Sequence, residues 1–348
     1  MNPTNKIRSG IRLGKSLFKN NVLKKPTPFF CQWEIIYDCN MNCKFCFIPK
    51  HRSIWRPYIS TERAYKIIDQ LVELGVIIVN ITGGEPLMRK DISKIIKYTK
   101  KKGLIVFMNS NGSCLDGVEK IRGLDLMRVS IDFVGEKHDK IRNKKGAFDE
   151  AVNTITILKK AGIGVMITSV ITNQHTYNDL EELANLAKRL GTQVEFSMID
   201  VEMPSIINPK KENRKNDSHK LMMKSEKFID MVKKVKRKYR NDVICSPSYM
   251  NLIKKKGLAG FGCRIMNVVI TIKSNGKVAI PCNGYPVNLV NDNLIDAWNS
   301  KEAEHARKMQ GKYWFCRDYK CYNRCALFPT MLLSSKSFFE LLVSWKKL

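Results

Sequence analysis

An α/β architecture on a parallel sheet is the fold class that this sequence predicts, and three observations predict it. Segments with helical apolar spacing alternate with short β-branched runs. The helical segments close at glycine, at Gly75, Gly103, Gly162 and Gly191. The strand runs are apolar at successive positions, as when both faces of a sheet are covered. Six such units fall short of the eight of a closed barrel, so a three-quarter barrel and an open sheet both satisfy the pattern. Either one receives its ligands at the C-terminal ends of its strands.

Residues 1–25 interleave Ile7, Ile11, Leu13, Leu17, Phe18 and Leu23 with seven Lys and Arg, which reads as a short amphipathic helix. Pro26 and Pro28 deliver the chain into an extended run, 30–37, carrying Trp33, Ile35 and Ile36. A helix follows at 61–74, with Ser60 as its N-cap and Ala64, Ile67, Ile68, Leu71 and Leu74 inward. Further strands are expected at 76–81, 104–108, 127–131, 163–171 and 193–198, with helices at 91–102, 148–161 and 177–190 between them. Pro204, Pro209 and the charged run 210–217 break the pattern over 200–218. Beyond it come a lysine-rich helix near 221–239, a hairpin 267–280 turning at Asn275-Gly276, and a helix at 294–309. The tail, 331–348, is basic and apolar. The domain reading is therefore a basic segment 1–29, a core 30–217, a linker helix with a cysteine-rich unit 218–330, and an amphipathic tail 331–348.

The chain has 348 residues, enough for one large domain with a smaller one appended. No apolar run reaches the roughly 20 residues of a spanning helix, and the N-terminus lacks the apolar core of a signal peptide. A cytoplasmic location is expected, with peripheral contact at an anionic membrane where the basic-apolar termini would rest. Lys and Arg number 61 against 32 Asp and Glu, a net charge of +29. That charge draws polyanions, although lysines spread over solvated helix faces select no partner. It motivates an alternative reading as an RNA-binding or RNA-modifying iron–sulfur protein, but no aromatic-rich basic strand, helix-turn-helix or RNA-binding module accompanies it.

Eleven cysteines in such a chain point to metal or redox chemistry rather than a disulfide framework. Cys31, Cys114 and Cys245 stand alone and read as packing residues. Cys39, Cys43 and Cys46 lie in one loop after the first strand. A C-x3-C-x2-C loop provides three thiolates where an ordinary iron–sulfur cluster takes four, so one iron keeps an open position for a ligand. After the second strand comes Thr82-Gly83-Gly84-Glu85-Pro86.

The two motifs in that order, on successive strand ends, resemble the radical S-adenosylmethionine (SAM) superfamily over roughly residues 30–200. The resemblance implies a partial (β/α)6 TIM-like barrel, with a [4Fe–4S] cluster on Cys39, Cys43 and Cys46 whose open iron is chelated by SAM. One electron, from a donor such as a ferredoxin or flavodoxin, then releases a 5′-deoxyadenosyl radical. It also implies that Gly83 and Gly84 leave room for the cofactor, that Glu85 receives its ammonium group, that Pro86 stiffens the loop, and that Phe45 lies by the adenine. The stretch Ser130 to Arg142 is similar to the segment that contacts the cofactor's ribose and carboxylate, with Ser130 and Arg142 as its contacts. Asn109 to Gly112, Thr168, Ser169, Val170 and Ile171 are further strand-end candidates.

A second constellation, Cys263, Cys282, Cys316, Cys321 and Cys325, resembles the auxiliary-cluster extension called SPASM or its shorter twitch variant. It departs from that pattern by one extra residue between glycine and cysteine and by one missing upstream cysteine. The complement suits one auxiliary [4Fe–4S] cluster held by four of the five, with Cys316 and Cys321 competing for one place; four thiolates also suit a structural zinc ion. The resulting expectation is an enzyme that abstracts hydrogen from an unactivated carbon of a peptide, small molecule or lipid.

Overall fold

The structure is a computed structural model that describes residues 3–51, 57–199, 220–254, 263–279, 293–312 and 333. The expected break at 200–218, Cys282, Cys316, Cys321, Cys325 and the tail apart from Leu333 lie outside those residues.

The six predicted strands are present: β1 (Phe30–Ile36), β2 (Ile78–Gly83), β3 (Ile105–Ser110), β4 (Leu126–Ser130), β5 (Gly164–Ile171) and β6 (Val194–Met198). They lie side by side in chain order and pair in parallel throughout. Every residue of β1 is buried, as the centre of a sheet covered on both faces requires. Helices α2 (Thr61–Leu74), α3 (Ile92–Lys101), α4 (Glu136–Arg142), α5 (Ala147–Lys160) and α6 (Tyr177–Arg189) make the crossovers. Ser60 caps α2 by accepting from the Arg63 N–H, and Gly75 closes it in the left-handed region at φ 93°, where a side chain would be strained.

The sheet has nine strands rather than six, in the order β7-β6-β5-β4-β3-β2-β1-β8-β9, and it does not close. After α7 (Ser225–Lys238), the two-residue β7 (Val243–Ile244) extends the β6 edge and α8 (Pro247–Lys254) follows. At the other edge β8 (Val269–Ile272) runs parallel to β1 and turns back into β9 (Val278–Ala279). The hairpin expected over 267–280 thus joins the main sheet. Its first two residues instead belong to a helical turn, Ile265–Val268. The helix expected at 294–309 is broken into α9 (Leu294–Asn299) and α10 (Lys301–Met309) by Ser300, whose extended backbone caps the second piece.

The N-terminal helix α1 (Pro3–Asn21) packs in an unexpected sense. Ser9, Ser16 and Asn20 are buried, whereas Ile11 and Phe18 face out. Ser16 and Asn20 both donate to the Thr27 carbonyl, at 3.0 and 2.9 Å, and Arg12 donates to the Val76 carbonyl at 2.7 Å. Hydrogen bonding, with Leu13 and Leu17 against the core, seats this helix.

Candidate active site

The C-terminal ends of β1 to β6 surround a cavity of about 300 Å³, lined in part by Cys39, Cys43, Cys46 and Phe45. Gly83, Gly84, Ser130, Arg142, Thr168 and Val170 share that lining. Eight of the ten residues that the resemblance assigns to the first cluster and its cofactor are therefore among these: the three cysteines, Phe45, both glycines, Ser130 and Arg142. Glu85 and Pro86 do not line the cavity; both are buried beside it.

The glycines serve the protein first. A Cβ on Gly83 would stand 2.2 Å from the Ile36 carbonyl oxygen, and one on Gly84 would stand 2.2 Å from that of Asp38. Their absence lets the two loops close on each other. Gly84 N–H donates to the Ile36 carbonyl at 2.7 Å and Glu85 N–H to that of Asp38 at 2.8 Å, immediately ahead of Cys39. The space that a Cβ would take at these two positions is filled by the exit of β1, while both glycines also line the cavity.

Glu85 is fully buried. Its carboxylate accepts from Ser110 Oγ at 2.9 Å, from Leu87 N–H at 3.0 Å and from Asn111 N–H at 2.7 Å. Burial pushes its pKa up against those donors. The reason that the side chain turns inward is local, because Pro86–Met88 forms one 3-10 turn that Glu85 caps. Asn111, held there, donates to Asn40 Oδ1 at 2.9 Å and points the same amide at Cys39 Sγ, 3.9 Å away. Asn40 in turn donates to Ser113 Oγ at 2.7 Å. The Asn109–Gly112 stretch after β3 thus braces the cysteine loop.

On the opposite side Lys44 N–H donates to the Ile141 carbonyl of α4 at 3.0 Å. The next residue of α4, Arg142, is buried and bonds Asp132 Oδ2 through Nε at 2.8 Å and through its terminal nitrogen at 2.7 Å. Burial alone would lower the Arg142 pKa; the Asp132 carboxylate, then Cys43 and Cys46, raise it. Its guanidinium lies 5.8 Å from the Phe45 ring centre. Asp132 Oδ1 also accepts from Val170 N–H at 2.9 Å, and its carbonyl lies 2.8 Å from His175 Nε2. His138 Nδ1 accepts from Asp132 N–H at 3.0 Å, so the ring carries its proton on Nε2. Burial, then Arg142, lowers the His138 pKa to about 4.

On β5 the two-residue period divides the expected candidates. Thr168 and Val170 line the cavity, whereas Ser169 and Ile171 are fully buried away from it. Ser169 Oγ donates instead to the Asp132 carbonyl at 3.4 Å. Sequence reasoning missed Arg89, which is wholly buried, pairs with Asp91 at 2.8 Å and donates to the Ile35 carbonyl at 3.0 Å. A lone arginine after Pro86 carries no signal of that contact.

Cys39, Cys43 and Cys46 form no disulfide. Burial raises Cys43, with Cys46 pushed up to about 12. Among the described residues no three His, Cys, Asp or Glu side chains gather as a single metal ion would require. Three separate thiols on one cavity wall, beside a buried guanidinium, fit a body with several irons, each taking one sulfur.

Residues 33–187 match the radical SAM superfamily. That stretch, the core of the chain from β1 into α6, is similar to that superfamily. Across 320 residues it is 27% identical to the AdoMet-dependent heme synthase of Methanosarcina barkeri, covering 84% of this chain and 89% of that one. The mycofactocin maturase MftC of Mycolicibacterium smegmatis is 31% identical over 177 residues, which is 49% of this chain and 45% of MftC. Among solved structures, Streptococcus suis SuiB bound to S-adenosylmethionine superimposes with a TM-score of 0.65 at 15% identity, covering 88% of this chain and 74% of SuiB. Native anSMEcpe with bound AdoMet gives 0.61 at 15% identity, covering 91% and 98%. The likeness to these structures is one of fold, an incomplete α/β barrel, and the superfamily that residues 33–187 match uses a [4Fe–4S] cluster and SAM.

Proposed function

We propose that this chain abstracts a hydrogen atom from an unactivated carbon of an organic substrate held in the barrel mouth. The observation that carries the reading is that the three thiols of one loop line a single cavity with the ends of six parallel strands. Bound there, the cluster and SAM supply a 5′-deoxyadenosyl radical on reduction by a donor such as a ferredoxin or flavodoxin. The residues assigned to this chemistry are Cys39, Cys43 and Cys46 as iron ligands. The Gly83–Gly84 edge, Ser130, Arg142 and Phe45 would hold SAM, while Glu85 and Pro86 keep the edge rigid. Arg142 places a buried positive charge beside Cys43 and Cys46 and opposes the negative charge that iron-bound thiolates bring. The test is anaerobic reconstitution followed by reduction with SAM. Formation of 5′-deoxyadenosine, lost on Cys43→Ala, supports the reading, and its absence from the iron-loaded wild type rejects it.

One auxiliary [4Fe–4S] cluster on four of Cys263, Cys282, Cys316, Cys321 and Cys325 would relay an electron or orient the substrate. Cys263, the described member, sits beside Gly311, whose added Cβ would be 3.4 Å from the Cys263 Cβ. Iron per chain tests this: removing Cys39, Cys43 and Cys46 together should leave one cluster's worth of iron, and removing Cys263 and Cys282 as well should leave none. For substrate class, one SuiB structure is described as bound to precursor peptide SuiA, and this favours a peptide here.

A second reading, of location, is favoured by α1. Ile11, Phe18, Val22 and Leu23 are 56%, 54%, 61% and 58% exposed, amid exposed Arg8, Lys15, Lys19, Lys24 and Lys25. The first acidic residue of the chain is Glu34. Such a face suits the headgroup region of an anionic bilayer, each basic residue contributing about 1 kcal/mol. Phosphatidylglycerol vesicles should retain the chain at low salt and Phe18→Ser should weaken retention; equal retention on phosphatidylcholine would reject the charge argument. Among the described residues no helix is long and apolar enough to cross a membrane.

A further inference from the structure

Below the cavity, the interior face of the sheet carries polar groups that the fold leaves unbonded. Asn80 on β2 is 0% exposed, yet neither its Oδ1 nor its Nδ2 has a hydrogen-bond partner. Asn109 Oδ1 on β3 and Arg128 Nε on β4 are likewise buried without one. A buried polar atom left unbonded costs free energy, so four such atoms on three residues of neighbouring strands call for a ligand or for water.

These atoms form one cluster, set by register and by the alternation of side chains along a strand. Thr82, Asn109 and Ser130 line the cavity. Asn80, Phe107 and Arg128, each two residues earlier on the same strand, face the same interior one layer deeper. Across the strands Gln32 pairs with Asn80, Asn80 with Phe107, and Asn109 with Arg128. The Arg128 guanidinium lies over the Phe107 ring, 5.3 Å from its centre, and Phe107 is the cross-strand neighbour of Asn80. The row is therefore contiguous, and its upper edge opens into the cavity through Gln32 and Asn109.

Charge decides what the floor selects. Arg142 is matched by Asp132, and Glu34, which also lines the cavity, is matched by Lys273 at 2.7 Å and by the Tyr37 hydroxyl. Among the described residues no carboxylate lies within ion-pair distance of Arg128. An unmatched guanidinium with a flat, fixed fork of donors is suited to a carboxylate.

We infer that the floor formed by Asn80, Asn109 and Arg128 binds a carboxylate of the substrate together with an adjacent N–H or O–H donor. Arg128 and Asn80 Nδ2 donate to the carboxylate, and the two asparagine Oδ1 atoms accept from the neighbouring donor. An acidic residue of a peptide presents that pair, as does a small N-acyl amino acid. The inference rests on the reading of this barrel mouth as the substrate site and names the group that the substrate must offer it.

The test is a binding measurement on the full chain without iron or SAM, so that it needs no radical chemistry. N-acetylaspartate at millimolar concentration should raise the melting temperature of the wild type, and its diamide, N-acetylasparaginamide, which has no carboxylate, should not. Arg128→Met should weaken the N-acetylaspartate interaction at least tenfold; Arg128→Lys, which keeps the charge, should retain part of it. An acidic peptide binding more tightly than the free N-acyl amino acid would place the group in a peptide; equal binding would place it in a small molecule. A floor that holds water only would show equal responses to acid and amide, or none in any variant, and would overturn the inference. Loss of 5′-deoxyadenosine formation in the iron-loaded wild type would instead overturn the radical reading and leave the binding result standing.

Discussion

Gly84→Ala should do more damage than any glycine-to-alanine change on the surface. The added Cβ would meet three backbone atoms of the β1 exit: Asp38 O at 2.2 Å, Asp38 C at 2.8 Å and Tyr37 C at 2.9 Å. Backbone atoms cannot swing aside as a flexible side chain would. Relief to ordinary contact moves one loop by roughly 1 Å, and it breaks the two hydrogen bonds, at 2.7 and 2.8 Å, that join the loops. Two such bonds contribute about 1 kcal/mol each, and overpacking adds about 1–3 kcal/mol. The expected loss is about 3–5 kcal/mol, a large share of the ~5–15 kcal/mol that holds a domain folded. Because the displaced loop leads straight into Cys39, iron uptake should fall with it. Urea unfolding of the iron-free chain reads the first effect, and visible absorbance after anaerobic reconstitution reads the second. Gly14→Ala is the control: nothing lies within 4 Å of its added Cβ, and inside α1 it should gain about 0.5–1 kcal/mol. A Gly84→Ala chain within about 1 kcal/mol of the wild type, with full cluster absorbance, would refute the stitched-loop argument.

Asp132→Asn should cost about 3–5 kcal/mol, because Arg142 would be left buried without its counter-charge; urea midpoints check it, and a loss under 1 kcal/mol would contradict it. His138 sets a pH dependence. Its ring is neutral in the fold, with a pKa near 4 against 6.5 when unfolded. The stabilisation is fully present above pH 6.5 and is lost as pH falls toward 4. Its size is about 3 kcal/mol, so between pH 7 and 4 the wild type should lose that much more than His138→Gln. Iron loading should run the other way from acid: Cys43 and Cys46 are held protonated by burial, and each must release a proton to bind. Apparent affinity should rise up to about tenfold per thiol for each pH unit between 7 and 9, and a flat profile would contradict protonated buried thiols.

How much of this was legible in the sequence depends on distance along the chain. The cysteine spacing, the Thr82–Pro86 motif and the strand–helix alternation are local patterns, and they placed the six strands and most of the cavity wall. The period of two on β5 was equally local, and it would have separated Thr168 and Val170 from Ser169 and Ile171. What stayed hidden joins remote segments. Glu85 reads as a ligand-facing carboxylate until the Ser110 and Asn111 donors of another strand end take it. Arg89 shows nothing of its bond to Ile35, 54 residues away. β7 has two residues, too few for periodicity to register, and the hairpin of β8 and β9 was legible from its turn but not its pairing with β1. In α1 the spacing showed an amphipathic helix, but not that Ser16 and Asn20 would bond Thr27 and be buried beside Leu13 and Leu17 while Ile11 and Phe18 face out.

Electron paramagnetic resonance of the anaerobically reconstituted, reduced chain tests the central claim most directly, because the claim is a cluster with one iron open to SAM. A [4Fe–4S] signal that shifts on adding SAM, and that disappears when Cys39, Cys43 and Cys46 are all replaced by alanine, is the predicted result. A signal indifferent to SAM, or a SAM-sensitive one that survives the triple replacement, would contradict the assignment of this loop as the active site.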